Sequence, residues 1–287
     1  MTRDSTLVLG AVAYDAKVVP IWEGFRRWFA EHKLAFDYVL YSNYERQVEA
    51  HLAGHIDVAW NSPLAWIEAD RAAAARGRRA RAVAMRDTDC DLTSIVVVRA
   101  DSPARSLADL RGARIAVGAG DSPQATLIPM LHLAAAGVEP GVDAEIVRFD
   151  VLLGKHGDHI GGERDAARAL VEGRVDASCM IDGNHLLFAR EGVLQPDATR
   201  VLFQTPAYDH CNFTVLEDAR AELVDRFVEL LLAMSYDDPA VRPLLDMEGL
   251  KAWRQGRTSG YQQLERAVDR FDTISGWLAR VGAAQGS

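Results

Sequence analysis

Residues 51–66 read HLAGHIDVAWNSPLAW. A helix ending at Gly54 gives way to a short apolar run. That run stops at Asn61-Ser62-Pro63, where Pro63 suits the first turn of a new helix. A strand that ends in polar groups and passes straight into a helix is one step of a sheet covered by helices. Residues 168–188, RALVEGRVDASCMIDGNHLLF, repeat the step: a helix, Gly173, a basic residue, a β-branched residue, Asp176, then an apolar strand closing on Asp182-Gly183-Asn184. Asp57 and Asp176 take matching places at the strand starts, where capping or turn hydrogen bonding is the expected role. Asn61-Ser62 and Asp182-Gly183-Asn184 lie at the opposite, C-terminal ends. Ligands collect there in open parallel sheets, against the unpaired N–H groups of the following helices.

Working outward, residues 7–14 (LVLGAVAY) form a buried strand, and Val18, Ile21, Trp22, Phe25 and Phe29 recur at helical spacing after it. Residues 36–41 (FDYVLY) alternate as a strand, and Tyr44, Val48 and Leu52 mark the helix that Gly54 ends. The order β-α-β-α-β-α predicts a mostly parallel sheet with helices on both faces. A second unit follows: strands in residues 113–120, 144–150 and 175–181, helices in residues 106–112, 125–137, 163–173 and 185–192. Residues 84–103 and 201–218 read as two crossing segments. Helices in residues 221–234 and 261–281 would complete or brace the first lobe. The expectation is two αβ lobes, the first from residues 1–95 plus 212–287 and the second from 96–211. Facing each other across a hinge, they would put both polar edges in one cleft.

Composition agrees with a globular chain: 287 residues, 49% hydrophobic, 25% charged, with 22 glycines and 10 prolines. The formal charge of -9 gives no general attraction for nucleic acid. The basic run in residues 71–82 is Ala-rich and lacks interleaved aromatics, so it reads as a solvated helix end. Apolar runs are short and broken by charge, which argues against a membrane span. Residues 1–14 hold no signal-peptide core, so the chain as written is expected in the cytoplasm, or in the periplasm or outside the cell if a leader has been removed. Cys90, Cys179 and Cys211 are too few and too scattered for a disulfide scaffold and read as reduced, small apolar residues.

The chain resembles the phosphate/phosphonate-type periplasmic substrate-binding proteins, a branch of the type II two-lobed solute-binding fold. The likeness lies in residues 41–66, 94–129, 169–183 and 200–218. It implies a small polar ligand held between lobes. By that resemblance, Ser122 in GAGDSPQAT (residues 118–126) matches a hydroxyl donor to an anionic head group. Pro123 and Gln124 interrupt the familiar Ser/Thr-rich run, and Asp121 would repel a fully ionised phosphonate. Tyr14, Tyr44, Asn61 and Ser62 look like first-lobe contacts, and Asp182 resembles the position that receives a ligand amine.

The residues themselves carry further expectations. Ser122 and Gln124 precede a predicted helix, where exposed N–H groups favour an anion. Trp60 and Trp66 read as packing groups. His156 and His159, in GKHGDHIGGERDA (residues 154–166), could bind a divalent metal, with a solvated or lid-like loop as the plainer reading. No other cofactor is indicated. His185 lies near Asp182 in sequence. His210 and Cys211 adjoin, but neighbours on an extended strand point to opposite sides, which argues against a direct pair. The expected function is therefore binding of a small polar organic anion, whether phosphonate, phosphate ester or carboxylate, amine-bearing or not. The alternative is a cytoplasmic enzyme of the same fold, with His185, His210 and Cys211 supplying acid, base or nucleophile. The expected partner is that ligand, with no nucleic acid and no membrane insertion; oligomeric state is not set by the sequence.

Overall fold

The computed structural model describes residues 5–150, 160–195 and 197–275. It divides into two compact units, one of Met1–Cys90, Asp209–Tyr261 and Ile274–Ser287, the other of Asp91–Tyr208 and Gln262–Thr273. The chain runs β1 (Leu7–Val12), α1 (Val18–Glu31), β2 (Phe36–Tyr41), α2 (Tyr44–Leu52), β3 (Val58–Asn61), α3 (Pro63–Ala74) and β4 (Ala80–Arg86) in the first unit. The second unit takes β5 (Ser94–Arg99), β6 (Arg114–Val117), α4 (Ile128–Ala135), β7 (Glu145–Arg148), α5 (Ile160–Val171), β8 (Ala177–Ile181), α6 (Asp182–Arg190) and β9 (Thr199–Gln204). β10 (Asn212–Leu216), α7 (Ala221–Ala233), α8 (Arg242–Glu248) and β11 (Trp253–Gln255) return to the first unit, and α9 (Gln262–Phe271) ends in the second.

The first sheet has the order β11-β4-β10-β3-β1-β2 and the second β7-β6-β8-β5-β9. Both are mixed, where the sequence pattern predicts mostly parallel sheets. β1, β2 and β3 are parallel, as are β6, β7 and β8, but β10 runs antiparallel beside β3 and β5 antiparallel beside β8. The segments read as crossings thus supply central strands. Their runs Ile95-Val96-Val97-Val98 and Phe213-Thr214-Val215 have the β-branched and aromatic residues that a strand buried on both faces demands.

In the first unit α1 buries Val18, Ile21, Trp22, Phe25 and Phe29, the residues its periodicity singles out. They pack on Phe213, Phe227 and Trp253, with Trp22 and Phe213 ring centres 6.1 Å apart. At about 2 kcal/mol per large apolar side chain, this face contributes on the order of 10 kcal/mol. Tyr44, Val48 and Leu52 cover the other face with Ala65, Ala69 and Ala72. In the second unit Leu107, Leu110 and Leu133 lie on one face of the sheet and Ala166, Leu170 and Phe188 on the other.

Three elements depart from the sequence expectation. The helix after β6 starts two residues before the expected Ala125, with a π-helical turn over Pro123–Leu127 that Ser122 caps and Pro123 opens. α6 starts at Asp182, three residues before the expected His185. α9 lies in the second unit, where Gln263 Oε1 is 2.7 Å from His132 Nε2 of α4 and Arg270 pairs with Glu139.

Asp57 and Asp176 do the same work in the two units. The Asp57 carboxylate accepts from Val8 N at 2.8 Å while its own N–H donates to Val8 O. Asp176 clamps Arg114 in the same way, with the carboxylate bond at 2.8 Å. Arg220 adds an ion pair to Asp57, with Nε donating to Oδ1 at 3.0 Å. Asp57→Ala is expected to lower the unfolding free energy by about 2–3 kcal/mol and Asp176→Ala by about 1, read from denaturant midpoints.

His51 of α2 is 2% exposed, and among the described residues neither ring nitrogen has a hydrogen-bond partner. Burial pushes its imidazole down to about 4. The unfolded chain takes up this proton near pH 6.5 and the folded one only near 4, so the stability is complete above 6.5 and lost as the pH falls through that window. His51→Leu removes the loss: at pH 5 the variant is expected to gain about 2 kcal/mol relative to the parent, compared with their difference at pH 8.

Candidate functional site

In the first unit, the C-terminal ends of β1, β2 and β3 lead to Tyr14, Tyr44 and Asn61. Asn61 is fully buried and joins a chain of hydrogen bonds in which each group donates to the next. Gln47 Nε2 donates to Asn61 Oδ1 (2.8 Å), Asn61 Nδ2 to Thr214 Oγ1 (2.9 Å), and Thr214 Oγ1 to Asn212 Oδ1 (2.7 Å). Asn212 Nδ2 then donates to the Tyr261 hydroxyl (2.8 Å), which donates to His210 O (2.6 Å). Asn61 therefore fastens β3 to β10 at the register Asn61↔Asn212. Ser62 caps α3, accepting from Ala65 N at 3.2 Å. Tyr14 is half exposed, with the Lys17 ammonium 5.7 Å from its ring centre. Tyr44 is buried, which raises its hydroxyl pKa well above the ordinary value and keeps it protonated. Trp60 and Trp66 pack, as expected, against Phe213 and Tyr261.

Beside this edge lies a buried charged group. The Arg86 guanidinium sits 5.2 Å over Trp60, donates from Nε to Asp89 Oδ2 (2.5 Å) and from Nη1 to Glu248 O (2.9 Å). Burial pushes the Glu248 carboxyl up to about 7, against the pull of Arg86. His210 Nδ1 lies 3.3 Å from Asp89 Oδ1 and 3.2 Å from Cys211 Sγ. The sequence expectation that His210 and Cys211 point apart is thus corrected. β10 begins only at Asn212, so strand alternation does not govern residues 210–211. Both neighbours address the same ring nitrogen, so the three do not form a relay in which one nitrogen takes the nucleophile's proton and the other is held by the carboxylate. Asp89, His210 and Cys211 bring one donor atom each within 4.8 Å of one another, a set that could hold a metal ion. The other metal candidates, His156 and His159, lie outside the described residues.

In the second unit, β6 ends at the turn Gly118–Ser122. Ser122 Oγ accepts from Ala125 N (3.2 Å), Thr126 Oγ1 donates back to Ala119 O (2.7 Å), and Ser94 Oγ donates to Gln124 O (2.6 Å). A Cβ on Gly118 would come 2.9 Å from the Ala125 Cβ, so this close approach needs glycine. Gln124 is 3% exposed and, among the described residues, its Oε1 has no hydrogen-bond partner. Arg148, at the C-terminal end of the neighbouring strand β7, places its guanidinium beside Gly120, 3.8 Å from where a Cβ would stand. Among the described residues no hydrogen bond or ion pair engages that guanidinium. Sequence reading passed over Arg148. Its signal is a cation at the end of the strand next to the turn.

Asp182 opens α6, its carboxylate accepting from Thr93 Oγ1 (2.7 Å) and Gly183 N (2.6 Å). His185 Nε2 lies 3.1 Å from Thr199 Oγ1, and burial lowers its pKa. Thr93 precedes the first residue of β5 and Thr199 pairs with the last, so Asp182 and His185 engage opposite ends of that strand. Buried Glu163 holds the start of α6 by accepting from Ile181 N (3.0 Å) and Asn184 Nδ2 (2.8 Å).

A model of the family described as "ABC transporter, phosphonate, periplasmic substrate-binding protein" matches residues 13–264. The chain belongs to that family. Among solved structures, PhnD1 of Prochlorococcus marinus in complex with methylphosphonate aligns at 18% identity and a TM-score of 0.67, covering 94% of this chain and 99% of that one. A Xanthomonas citri protein bound to ATP aligns at 18% and 0.67, covering 97% and 98%. A binding-protein component of a phosphonate ABC transporter from Pseudomonas aeruginosa aligns at 14% and 0.58, covering 98% of both chains. At these identities the likenesses establish the type II two-lobed α/β fold. The family description is periplasmic and that of a binding protein, and neither the cytoplasmic expectation nor the enzyme alternative draws support from it. Among the described residues no helix is long and apolar enough to cross a membrane.

Thr214→Val keeps the shape but leaves Asn61 Nδ2 without its acceptor and Asn212 Oδ1 without its donor. A loss of about 2–4 kcal/mol is expected in denaturant unfolding, with β10 exchanging its amide hydrogens faster.

Proposed function

We propose that this family member binds a small organic anion with a phosphonate, phosphate-ester or carboxylate head, reversibly and without chemistry. The family match over residues 13–264 carries the reading. Methylphosphonate and ATP, seen with two proteins of this fold, are both phosphorus oxyanions. In the second unit, the positive end of the helix beginning at Pro123, the Ser122 hydroxyl and the Arg148 guanidinium form an anion-attracting group. Arg148 offsets the repulsion that Asp121 would exert on a doubly charged head. Asp182 is the proposed partner of a ligand amine. In the first unit, Tyr14 and Tyr44 are the proposed ligand-facing groups of that unit's own polar edge, with Asn61 and Ser62 fixing the strand end and helix start beside them.

Calorimetry with methylphosphonate, 2-aminoethylphosphonate, inorganic phosphate and acetate tests this. At least one phosphorus oxyanion is expected to bind. Arg148→Ala should weaken it by about tenfold or more, the loss of a charge-assisted hydrogen bond, and Ser122→Ala by several-fold. Asp182→Asn should remove any preference for the amine-bearing ligand. Absence of binding by all four, or affinities unmoved by Arg148→Ala, would reject the assignment.

A further inference from the structure

We propose that Asp89, His210 and Cys211 form a binding site for a borderline-soft divalent metal ion, with zinc the best match, in the first unit. Three observations carry it. The first is geometric. Four ligands around zinc at bonds of about 2.0–2.3 Å stand about 3.3–3.8 Å apart along the edges of a tetrahedron. Asp89 Oδ1 and Cys211 Sγ already lie 3.3 and 3.2 Å from His210 Nδ1, and all three donor atoms fall within 4.8 Å of one another.

The second is chemical. A carboxylate oxygen and a thiol converge on one ring nitrogen, which carries at most one proton. That proton serves either neighbour well but not both. A metal ion in its place coordinates the imidazole, the carboxylate and the thiolate together. Sulfur, nitrogen and oxygen donors in one set select zinc or cobalt over magnesium and calcium, which take oxygen alone.

The third is that the donors are held in place by their surroundings. The His210 N–H donates to Asp89 O at 2.8 Å, and the Tyr261 hydroxyl donates to His210 O at 2.6 Å. Arg86 grips Asp89 Oδ2 at 2.5 Å, with Oδ1 3.0 Å from its Nη2 and 3.3 Å from the imidazole. Partners behind the ligands that fix their orientation are a regular part of metal sites. The Arg86 charge opposes a second cation, and Glu248, 3.4 Å from Arg86, offsets it. Three protein donors leave one position of a four-coordinate ion for a water.

The test uses tag-free full-length protein, stripped with a chelator and desalted, to which cobalt(II) and zinc(II) are added. One equivalent of cobalt should give a thiolate-to-metal charge-transfer absorption in the near ultraviolet, which zinc displaces. Cys211→Ser should abolish that absorption and weaken zinc binding at least tenfold, measured against a chromophoric chelator. The double variant His156→Ala/His159→Ala should leave both unchanged, which separates this site from the histidine-rich segment. A wild-type protein with no cobalt–thiolate absorption, or an absorption that survives in Cys211→Ser, overturns the proposal. Should Cys211→Ser fail to fold by circular dichroism, His210→Gln carries the same expectation for zinc, and an unchanged affinity overturns it.

Discussion

Leaving a buried polar group unpaired is costly, and in the first unit that cost shapes the polar residues that join β3 to β10. Asn61, Thr214 and Asn212 are fully buried, and the hydrogen bonds from Gln47 to His210 O all run in one donor direction. Such a chain polarises its members cooperatively, and it closes only in one register of β10 against β3. The apolar contacts of Phe213 and Val215 on the same strand do not discriminate between registers so sharply, because neighbouring apolar side chains can exchange places at modest cost. The polar chain therefore specifies the arrangement, and the aromatic cluster around Phe213 stabilises it.

The same register sets the electrostatics of the edge. It puts His210 and Cys211 just ahead of β10, next to Asp89 and within the field of Arg86. Burial works against every charge in this group, and mutual pairing works for them. Asp89 is held down to about 2 by Arg86 and His210, while Glu248, less well paired, rises to about 7. A group of charges this interdependent has little tolerance for losing one member.

The second unit solves a related problem with short staples rather than a long chain. Its turn after β6 is drawn onto the helix by Ser94, Ser122 and Thr126, which tie the buried helix start in place. Preorganised donors of this kind spend less of the binding free energy on ordering. Arg148 reaches the same turn from the neighbouring parallel strand, a placement that follows from the β6–β7 pairing alone.

Much of this was legible in the sequence. The α1 stripe, the Tyr44-Val48-Leu52 stripe and the echo of Asp57 in Asp176 are local features, and local spacing reports them because helices are built from residues near in sequence; Ser62 and Ser122, read as ligand contacts, are helix caps in the structure. The resemblance to the family rests on the same ordered series. Strand partners are not local. That β5 and β10 enter their sheets antiparallel, that Thr214 meets Asn61, that Arg148 reaches Gly120 and that Asp89 meets His210 and Cys211 depend on residues brought together from far along the chain, and only the tertiary structure decides those pairings. Asn212 and Thr214 share a side of β10, but a strand pattern says which residues share a side and not which partner waits there.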